Sequence, residues 1–495
     1  MNRIHLPHGQ YLGVTSRLAL GSGGQTGMML LRSRLFAEKA AVAPLLLSFD
    51  DQPDYPHIRT ELLGAGLLAP STTLLNLYES LRNEPPPLAP DDAPSLPELE
   101  ALTAEDFAHP DGTVHLTTYK DDEGTPVVTD HRRPDGSVYL RRGPDGIQLA
   151  DRLNRVVRTF SGTGALRRWW VTRLFDPDPE LPVFIVTESR FALRHLVPLN
   201  KRPRVRLIHV MHNIHVLEPY QPDSPVNPTH EPVLEAIPRL SALVTLTQRQ
   251  RDDIRARFAT ADNIHVIPNP IGDPGVPPAV VAREPRRFVM VGRLERQKRF
   301  EDAVSAFARV VAEEPDATLD IYGKGSRREQ LQAQIDEAGL GASVRLRGYD
   351  PHARDHLATA TALLLTSRFE GYPLVVLEAL HRGCPVIAYD IAYGPREQVG
   401  AAGLLIPPGD VEALADGILQ LIRSPDRVAG MSAAARPIAE RHSVEHYLHA
   451  WQFLLRTVAS ETPETSEVST AGPESDPAEP PPPAPGPPTR PSSGS

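Results

Sequence analysis

The chain has a single cysteine, Cys384, in 495 residues. A lone thiol cannot build an internal disulfide framework, so the fold must rest on its cores and suits a reducing compartment. Between Gly383 and Pro385 it reads as a small buried hydrophobe in an apolar turn, not a nucleophile. No apolar run approaches the roughly 18 to 20 residues of a membrane span. The opening "MNRIHLPHGQYLGV" lacks the long apolar region of a leader. A cytoplasmic protein is expected, with contact at the inner membrane face left open. Basic residues do not dominate: 52 Lys and Arg stand against 62 Asp and Glu, a net charge of −10. A nucleic-acid partner is therefore not expected.

Proline is abundant, with 52 residues. Many fall in the tail from about residue 461, "ETPETSEVSTAGPESDPAEPPPPAPGPPTRPSSGS", where Val468 is the only large apolar residue. Too little apolar surface exists there to offset the entropy of ordering, and residues 461–495 are expected to be disordered.

Elsewhere the hydrophobic 40% is organised. From 285 to 435, short apolar runs alternate with helical periodicity: "RRFVMVGRL" then "FEDAVSAFARVVAEEP", "ATLDIYGKG" then "SRREQLQAQIDEAGL", "ALLLTS" then "LVVLEALHR". That alternation predicts βαβ units on a parallel sheet. Residues 1–270 repeat it through "YLGVTSRLAL", "APLLLSFD", "LPVFIVTES", "VRLIHVMH" and "ALVTLT", predicting a second parallel sheet. Residues 271–284 read as the linker. Residues 436–460 contain the amphipathic "SVEHYLHAWQFLLRTVA", expected to pack across both domains. Between about 80 and 160, alternating strands broken by Glu-Gly and Asp-Gly turns predict an inserted antiparallel meander. Its exposed edges point to a subunit or partner contact.

Two doubly wound domains place a cleft between the C-terminal ends of their sheets, and the candidate residues all fall in loops at those ends. In "VGRLERQKRF", Arg293 follows a strand and Lys298 precedes a helix, an arrangement suited to a diphosphate. A solvated basic face would read the same way. In "SRFEGYPLVVLEALHRGCPVIAYD", Glu370 and Glu378 lie eight positions apart around a helix start. Carboxylates accept from vicinal hydroxyls, and free backbone N–H groups near Gly371, Tyr372, Pro373 and Leu374 can receive sugar or phosphate oxygens. The plain alternative is an acidic helix start with one surface glutamate. "GSGGQTGM" lets backbone at Gly23 and Gly24 approach a ligand closely, without the full dinucleotide fingerprint. "VMHNIHV" offers His212, Asn213 and His215 to the cleft, with His209 pointing into the sheet. Further metal ligands are missing at useful spacing. "DIAYGPREQV", with Asp390, Gly394 and Glu397, forms a cleft wall or a simple strand-to-helix turn.

These stretches together resemble the retaining glycosyltransferases of the GT-B fold, family four, whose signature is the spacing of Glu370 and Glu378. "GGQTGMMLLRSRLFA", "HNIH" and the meander resemble the poly(glycerol-phosphate) α-glucosyltransferases, including wall-teichoic-acid and surface-protein glycosylating enzymes. The resemblance implies a UDP-sugar donor carrying glucose or N-acetylglucosamine, and a glycan, polyol-phosphate or protein acceptor. Arg293 and Lys298 would neutralise the departing diphosphate, so no divalent metal or cofactor is expected. Glu378 would accept from the ribose, Glu370 and the Gly371–Leu374 backbone would meet the sugar, and Gly23 and Gly24 its phosphates. His212 and His215 would line the reacting face, and Arg347 and Tyr349 would lie near the base. Retention without an enzymic nucleophile implies front-face attack. A non-catalytic paralogue and a sugar phosphorylase of the same fold are the competing readings. The full set of Arg293, Lys298, Glu370 and Glu378 favours an enzyme.

Overall fold

The protein is described by a computed structural model covering residues 4–18, 24–52, 54–84, 88–99, 102–109, 111–258, 262–271 and 282–460. Gly23, most of the linker and the proline-rich tail lie outside these residues. Strands in chain order are β1 (Gln10–Thr15), β2 (Leu45–Ser48), β3 (Thr73–Asn76), β4 (Thr103–Ala108), β5 (Val114–Lys120), β6 (Pro126–Arg132), β7 (Val138–Gly143), β8 (Gly146–Ala150) and β9 (Val156–Phe160). Then follow β10 (Val183–Thr187), β11 (Val205–Val210), β12 (Ala242–Thr245), β13 (Ile264–Val266), β14 (Arg287–Val291) and β15 (Thr318–Tyr322). The last four are β16 (Val344–Gly348), β17 (Ala362–Leu365), β18 (Val386–Tyr389) and β19 (Gly403–Ile406).

Two of the three sheets are wholly parallel. The first runs β13-β12-β11-β10-β1-β2-β3 and the second β16-β15-β14-β17-β18-β19. Strands such as "VFIVT" and "ALLL" are buried at every position, as a sheet covered on both faces requires. In each sheet the winding reverses once: β10 lies beside β1, and β17 beside β14. Such switch points open a crevice at the carboxyl ends of their strands, where doubly wound folds bind ligands.

The two parallel sheets belong to one compact unit, and a single buried cluster joins Tyr11, Phe184 and Val244 of the first lobe to Val289, Leu365 and Val376 of the second. The C-terminal helix Val444–Ser460 completes the cluster. Its Trp451 is 1% exposed and meets Phe36 edge-on at 5.9 Å, while the Arg32 guanidinium lies 5.1 Å above the same ring.

Residues Leu81–Val171 form a second unit, built on the antiparallel sheet β4-β5-β6-β7-β8-β9. Its tight turns carry Gly124 and Gly136 at φ of 80° and 83°, which explains the Glu-Gly and Asp-Gly signals. The unit runs past the anticipated end near 160, because the helix Thr163–Arg173 buries Leu166 and Trp170. Edge strand β4 is exposed throughout and shows Phe107 to solvent. No helix among the described residues is long and apolar enough to cross a membrane.

Replacing Trp451 by Ala should cost about 3 to 5 kcal/mol in urea unfolding, the usual penalty for emptying an aromatic core site. A loss below about 1 kcal/mol would mean that the helix does not clamp the first lobe.

Candidate functional site

At the second sheet's switch point, two loops are laced together. The loop after β14 ends in the short turn Arg296–Lys298, and the loop after β17 holds Thr366 to Glu370. Thr366 Oγ1 donates to the carbonyls of Lys298 and Arg299 at 3.0 and 2.9 Å. Arg368 N–H donates to Gln297 O at 2.8 Å, and Gln297 Nε2 returns to Phe369 O at 2.9 Å. The lacing fixes Lys298, whose Nζ sits 2.5 Å from Glu370 Oε1; Ser367 Oγ donates to the same oxygen at 2.7 Å. Arg293 is exposed and has no ion-pair partner among the described residues. One positioned ammonium and one free guanidinium thus stand at one crevice.

The helix Leu374–His381 begins beside them. Among the described residues, the N–H groups of Gly371, Tyr372, Leu374 and Val375 have no hydrogen-bond partner. Pro373 contributes no N–H, and its carbonyl accepts from Gln398 Nε2 at 3.2 Å. The helix N-terminus therefore points unsatisfied donors and a positive dipole end at the crevice.

Gly371 carries the contact between lobes. A Cβ there would lie 1.9 Å from His212 O and 3.0 Å from Asn213 Cα, so only glycine permits this backbone approach. Gly24, at the start of the helix Gly24–Ala40, lies near Leu374, with a Cβ position 3.9 Å from Leu374 Cδ1. At Gly394, φ is 96° and a Cβ would meet Pro373 Cδ at 2.5 Å, so this turn braces the same helix start.

The histidines divide. His212 is half-buried, its Nε2 enclosed without a partner; burial, aided by the Arg32 charge, pushes its pKa down to about 3. It is a neutral imidazole at the lobe contact. His209 is buried in the sheet as expected, its pKa pushed down to about 3 by burial. His215 corrects the sequence reading: it is fully buried and stacks on Tyr393 at 6.0 Å, so it cannot line a reacting face. Tyr372 also turns inward, its hydroxyl 3.2 Å from His442 Nδ1, which leaves only its backbone at the crevice.

Glu378 is held by Arg354, 2.9 Å from its Oε1; burial raises its pKa and the Arg354 charge opposes that rise. Arg347 is tied to Asp320 Oδ1 at 2.7 Å, and Asp320 also holds Arg287 at 3.0 Å. Tyr349 is 69% exposed with Lys324 Nζ 5.1 Å above its ring. The end of β16 is joined to the neighbouring glycine turn by Gly323 N–H to Gly348 O at 2.7 Å. Asn213 is exposed, and its carbonyl accepts from Gln250 Nε2 at 2.9 Å.

Two partners were not foreseen. Arg354 was missed because "HARDHLATA" reads as an ordinary polar helix. Glu397, read as a cleft wall, instead caps the helix Gln248–Phe258 of the first lobe, accepting from the N–H groups of Gln248 and Arg249 at 2.9 Å each. A larger cavity of about 540 Å³ lies at the opposite end of the second sheet, against Arg283, Gly383 and Ser432. Arg283 commits its guanidinium there to the carbonyls of Leu357, Ala358, Ala360, Arg382 and Gly383, so it serves packing.

Two parallel doubly wound lobes joined at a loop-lined crevice define the GT-B class of fold. The family model of glycosyl transferases group 1 matches residues 278–437, the stretch that carries Arg293, Lys298, Glu370 and Glu378. The chain is 30% identical over 271 residues to the 2-deoxystreptamine glucosyltransferase of Streptomyces kanamyceticus, covering 69% of that protein and 49% of this one. The chain belongs to the group 1 glycosyl transferases. It is also 31% identical over 295 residues to the poly(glycerol-phosphate) alpha-glucosyltransferase of Bacillus subtilis strain 168, over 59% of this chain and 43% of that protein. With the poly(ribitol-phosphate) alpha-N-acetylglucosaminyltransferase of Staphylococcus aureus strain COL it shares 28% identity over half of each chain. The match thus spans half or less of these two relatives' length. Among solved structures, a TarM variant from S. aureus, crystallised with fondaparinux, alpha-GlcNAc-glycerol and UDP, matches with a TM-score of 0.69 at 19% identity over 90% of this chain and 99% of that one. The pneumococcal O-GlcNAc transferase GtfA, in complex with UDP and GlcNAc, gives 0.68 at 18% over 92% and 100%.

The neutral state of His209, His212 and His230 has a measurable consequence. Burial pushes each of them down to about 3, against an ordinary value near 6.5. The unfolded chain takes up these protons first as pH falls. Their stabilising contribution is complete above about pH 6.5 and is lost on the way down to about 3. Their ring signals in NMR should stay constant from pH 8 to 5. A titration midpoint near 6 for any of the three would contradict the burial.

Proposed function

We propose that the chain is a retaining glycosyltransferase moving glucose or N-acetylglucosamine from a UDP-sugar to a cell-envelope polymer or protein acceptor. The observation that carries this reading is the fixed Lys298 ammonium, set with the Arg293 guanidinium and the unsatisfied N–H groups of a helix start around one crevice. Breaking the anomeric C–O bond develops positive charge on the sugar and negative charge on the departing diphosphate. Arg293, Lys298 and the helix N-terminus stabilise that negative charge, and the lacing and the Glu370 pair hold Lys298 so that it need not reorganise. These cations take the part a divalent ion would otherwise play.

Glu378 sits on the same helix, its carboxylate shared with Arg354, and accepts from the ribose hydroxyls. Glu370, itself anchored by Lys298 and Ser367, keeps a second oxygen for the donor sugar. Gly24 and His212 close the crevice from the first lobe. Retention is read as front-face attack, the leaving phosphate oxygen taking the acceptor's proton. A sugar phosphorylase would use the same cations; release of sugar 1-phosphate with inorganic phosphate as acceptor distinguishes it. A non-catalytic paralogue has no need of an ammonium held this way.

Lys298→Ala and Glu378→Ala should each cut transfer at least a hundredfold while the melting temperature stays within a few degrees, as loss of one preplaced charge-stabilising group does. Near-normal turnover in both variants would defeat the assignment. UDP titrated calorimetrically should bind the unaltered chain without added metal and bind Lys298→Ala at least tenfold more weakly.

A further inference from the structure

At the donor crevice, the run from Glu370 to Pro373 is held by a different part of the chain at each residue. Glu370 is gripped by Lys298 and Ser367, from the loops of the second sheet. Gly371 rests against the His212 carbonyl of the first lobe. The Pro373 carbonyl accepts from Gln398 Nε2 of the helix Pro395–Val399. Tyr372 is anchored elsewhere. Its ring is 7% exposed in the core shared by the two lobes, and its hydroxyl reaches His442 Nδ1 at 3.2 Å. The two rings meet edge-on, with centroids 5.9 Å apart.

His442 lies where the chain changes lobes. It sits in the turn between the helix Pro425–Glu440, whose Val428 and Met431 pack in the second lobe, and the helix Val444–Ser460, which clamps the first. Its carbonyl also accepts from the N–H of Ile271 at 2.8 Å, where the linker out of the first lobe begins. Both passages between the lobes therefore meet at this residue. Burial, with the Arg441 and His446 charges adding to it, pushes the His442 imidazole down to about 4. The neutral ring keeps one unprotonated nitrogen, which can accept from a hydroxyl. Burial raises the pKa of Tyr372, so that hydroxyl keeps its proton to donate. A phenylalanine would fill the same core space. The hydroxyl adds direction, fixing the turn from which Gly371, Tyr372, Leu374 and Val375 aim their N–H groups at the crevice.

We propose that Tyr372 and His442 are a positioning pair, a hydroxyl–imidazole tether through which the crossing between the lobes sets the alignment of the donor-site N–H groups. The inference rests on the donor reading above and adds to it two side chains that touch neither sugar nor nucleotide. Aligned N–H groups meet the charge that develops on the leaving group without being reordered. Loss of the tether therefore falls on turnover more than on ground-state binding.

The test compares Tyr372→Phe, His442→Ala, His442→Asn and the double variant Tyr372→Phe/His442→Ala in the full-length chain. Hydrolysis of UDP-glucose and UDP-N-acetylglucosamine reports turnover, with UDP affinity and melting temperature measured in parallel. Tyr372→Phe and His442→Ala should each lower kcat about tenfold, with KM changed by less than about threefold, the scale expected when reacting groups are slightly misplaced. Because both remove one bond, the double variant should fall no further than either single one. His442→Asn, which keeps an acceptor near the place of Nδ1, should recover most of the turnover. The amide NMR signals of Gly371 and Leu374 give a reading that needs no turnover. They should shift on UDP addition in the unaltered chain and in His442→Asn, and shift less than half as far in Tyr372→Phe. Tyr372→Phe keeps the ring in the core, so it decides the matter if His442→Ala fails to fold. Unchanged kcat and amide shifts in Tyr372→Phe, losses that multiply in the double variant, or a loss confined to KM overturn the tether and leave the donor reading standing. An unaltered chain that does not bind UDP overturns the donor reading instead.

Discussion

The contact on which the rest depends is a backbone one: Gly371 lies so near the His212 carbonyl that no side chain fits between them. That approach sets the helix Leu374–His381 against the loop after β11, and so fixes where the donor groups of one sheet meet the first lobe. Around it, longer side chains repeat the same link. Glu397 caps the helix Gln248–Phe258, Tyr393 donates to Asp253 Oδ2 at 2.9 Å and stacks on His215, and Tyr220 packs on Phe369 at 4.9 Å. A single point of closest approach is thereby surrounded by polar and aromatic braces. The crevice inherits its geometry from them, since a shift of the Gly371 loop would carry Glu370 and Lys298 with it.

What the sequence shows and hides follows from the range of each interaction. The alternation of strands and helices is a local pattern, and the parallel sheets appear where it predicts them. The Glu-Gly and Asp-Gly turns need only their own φ, so the inserted meander was also visible. The spacing of Glu370 and Glu378 is local too: Glu370 lies in the loop before the helix Leu374–His381 and Glu378 a turn inside it. Pairings between distant residues leave no such trace. His215 looks like a cleft residue because it follows a strand, and Phe258 and Tyr393, both far along the chain, turn it into a core residue. Glu397 looks like a wall because its partner is a helix start in the other lobe. The amphipathic face of Val444–Ser460 could be read; that Trp451 would receive Phe36 and Arg32 could not.

The ion pairs at the donor crevice share one logic. A carboxylate taken out of water needs a cation or several hydrogen bonds, and a cation held by it loses side-chain freedom. Glu370 has both Lys298 and Ser367, and Glu378 has Arg354. Each pair converts a flexible side chain into a positioned one at the cost of desolvation. For a site that must meet charge appearing during reaction, positioning outweighs that cost, because a mobile ammonium would have to be ordered during every turnover. Arg347 is fixed in the same manner by Asp320, on the flank where the base is expected.

The arrangement of unpaired charge carries the same logic to the level of the whole unit. Acidic residues outnumber basic ones by 62 to 52, and some guanidiniums are spent on surface carboxylates, as in the pairs Arg309 with Asp416 and Arg423 with Glu313. Among the described residues, Arg293 has no ion-pair partner, and it follows the strand β14 at the second sheet's switch point. Its place beside the fixed Lys298 suits a crevice that receives an anion. A diphosphate at β14/β17 would set the leaving group beside the helix start at Leu374, where the neutral His212 at the lobe contact adds no competing charge.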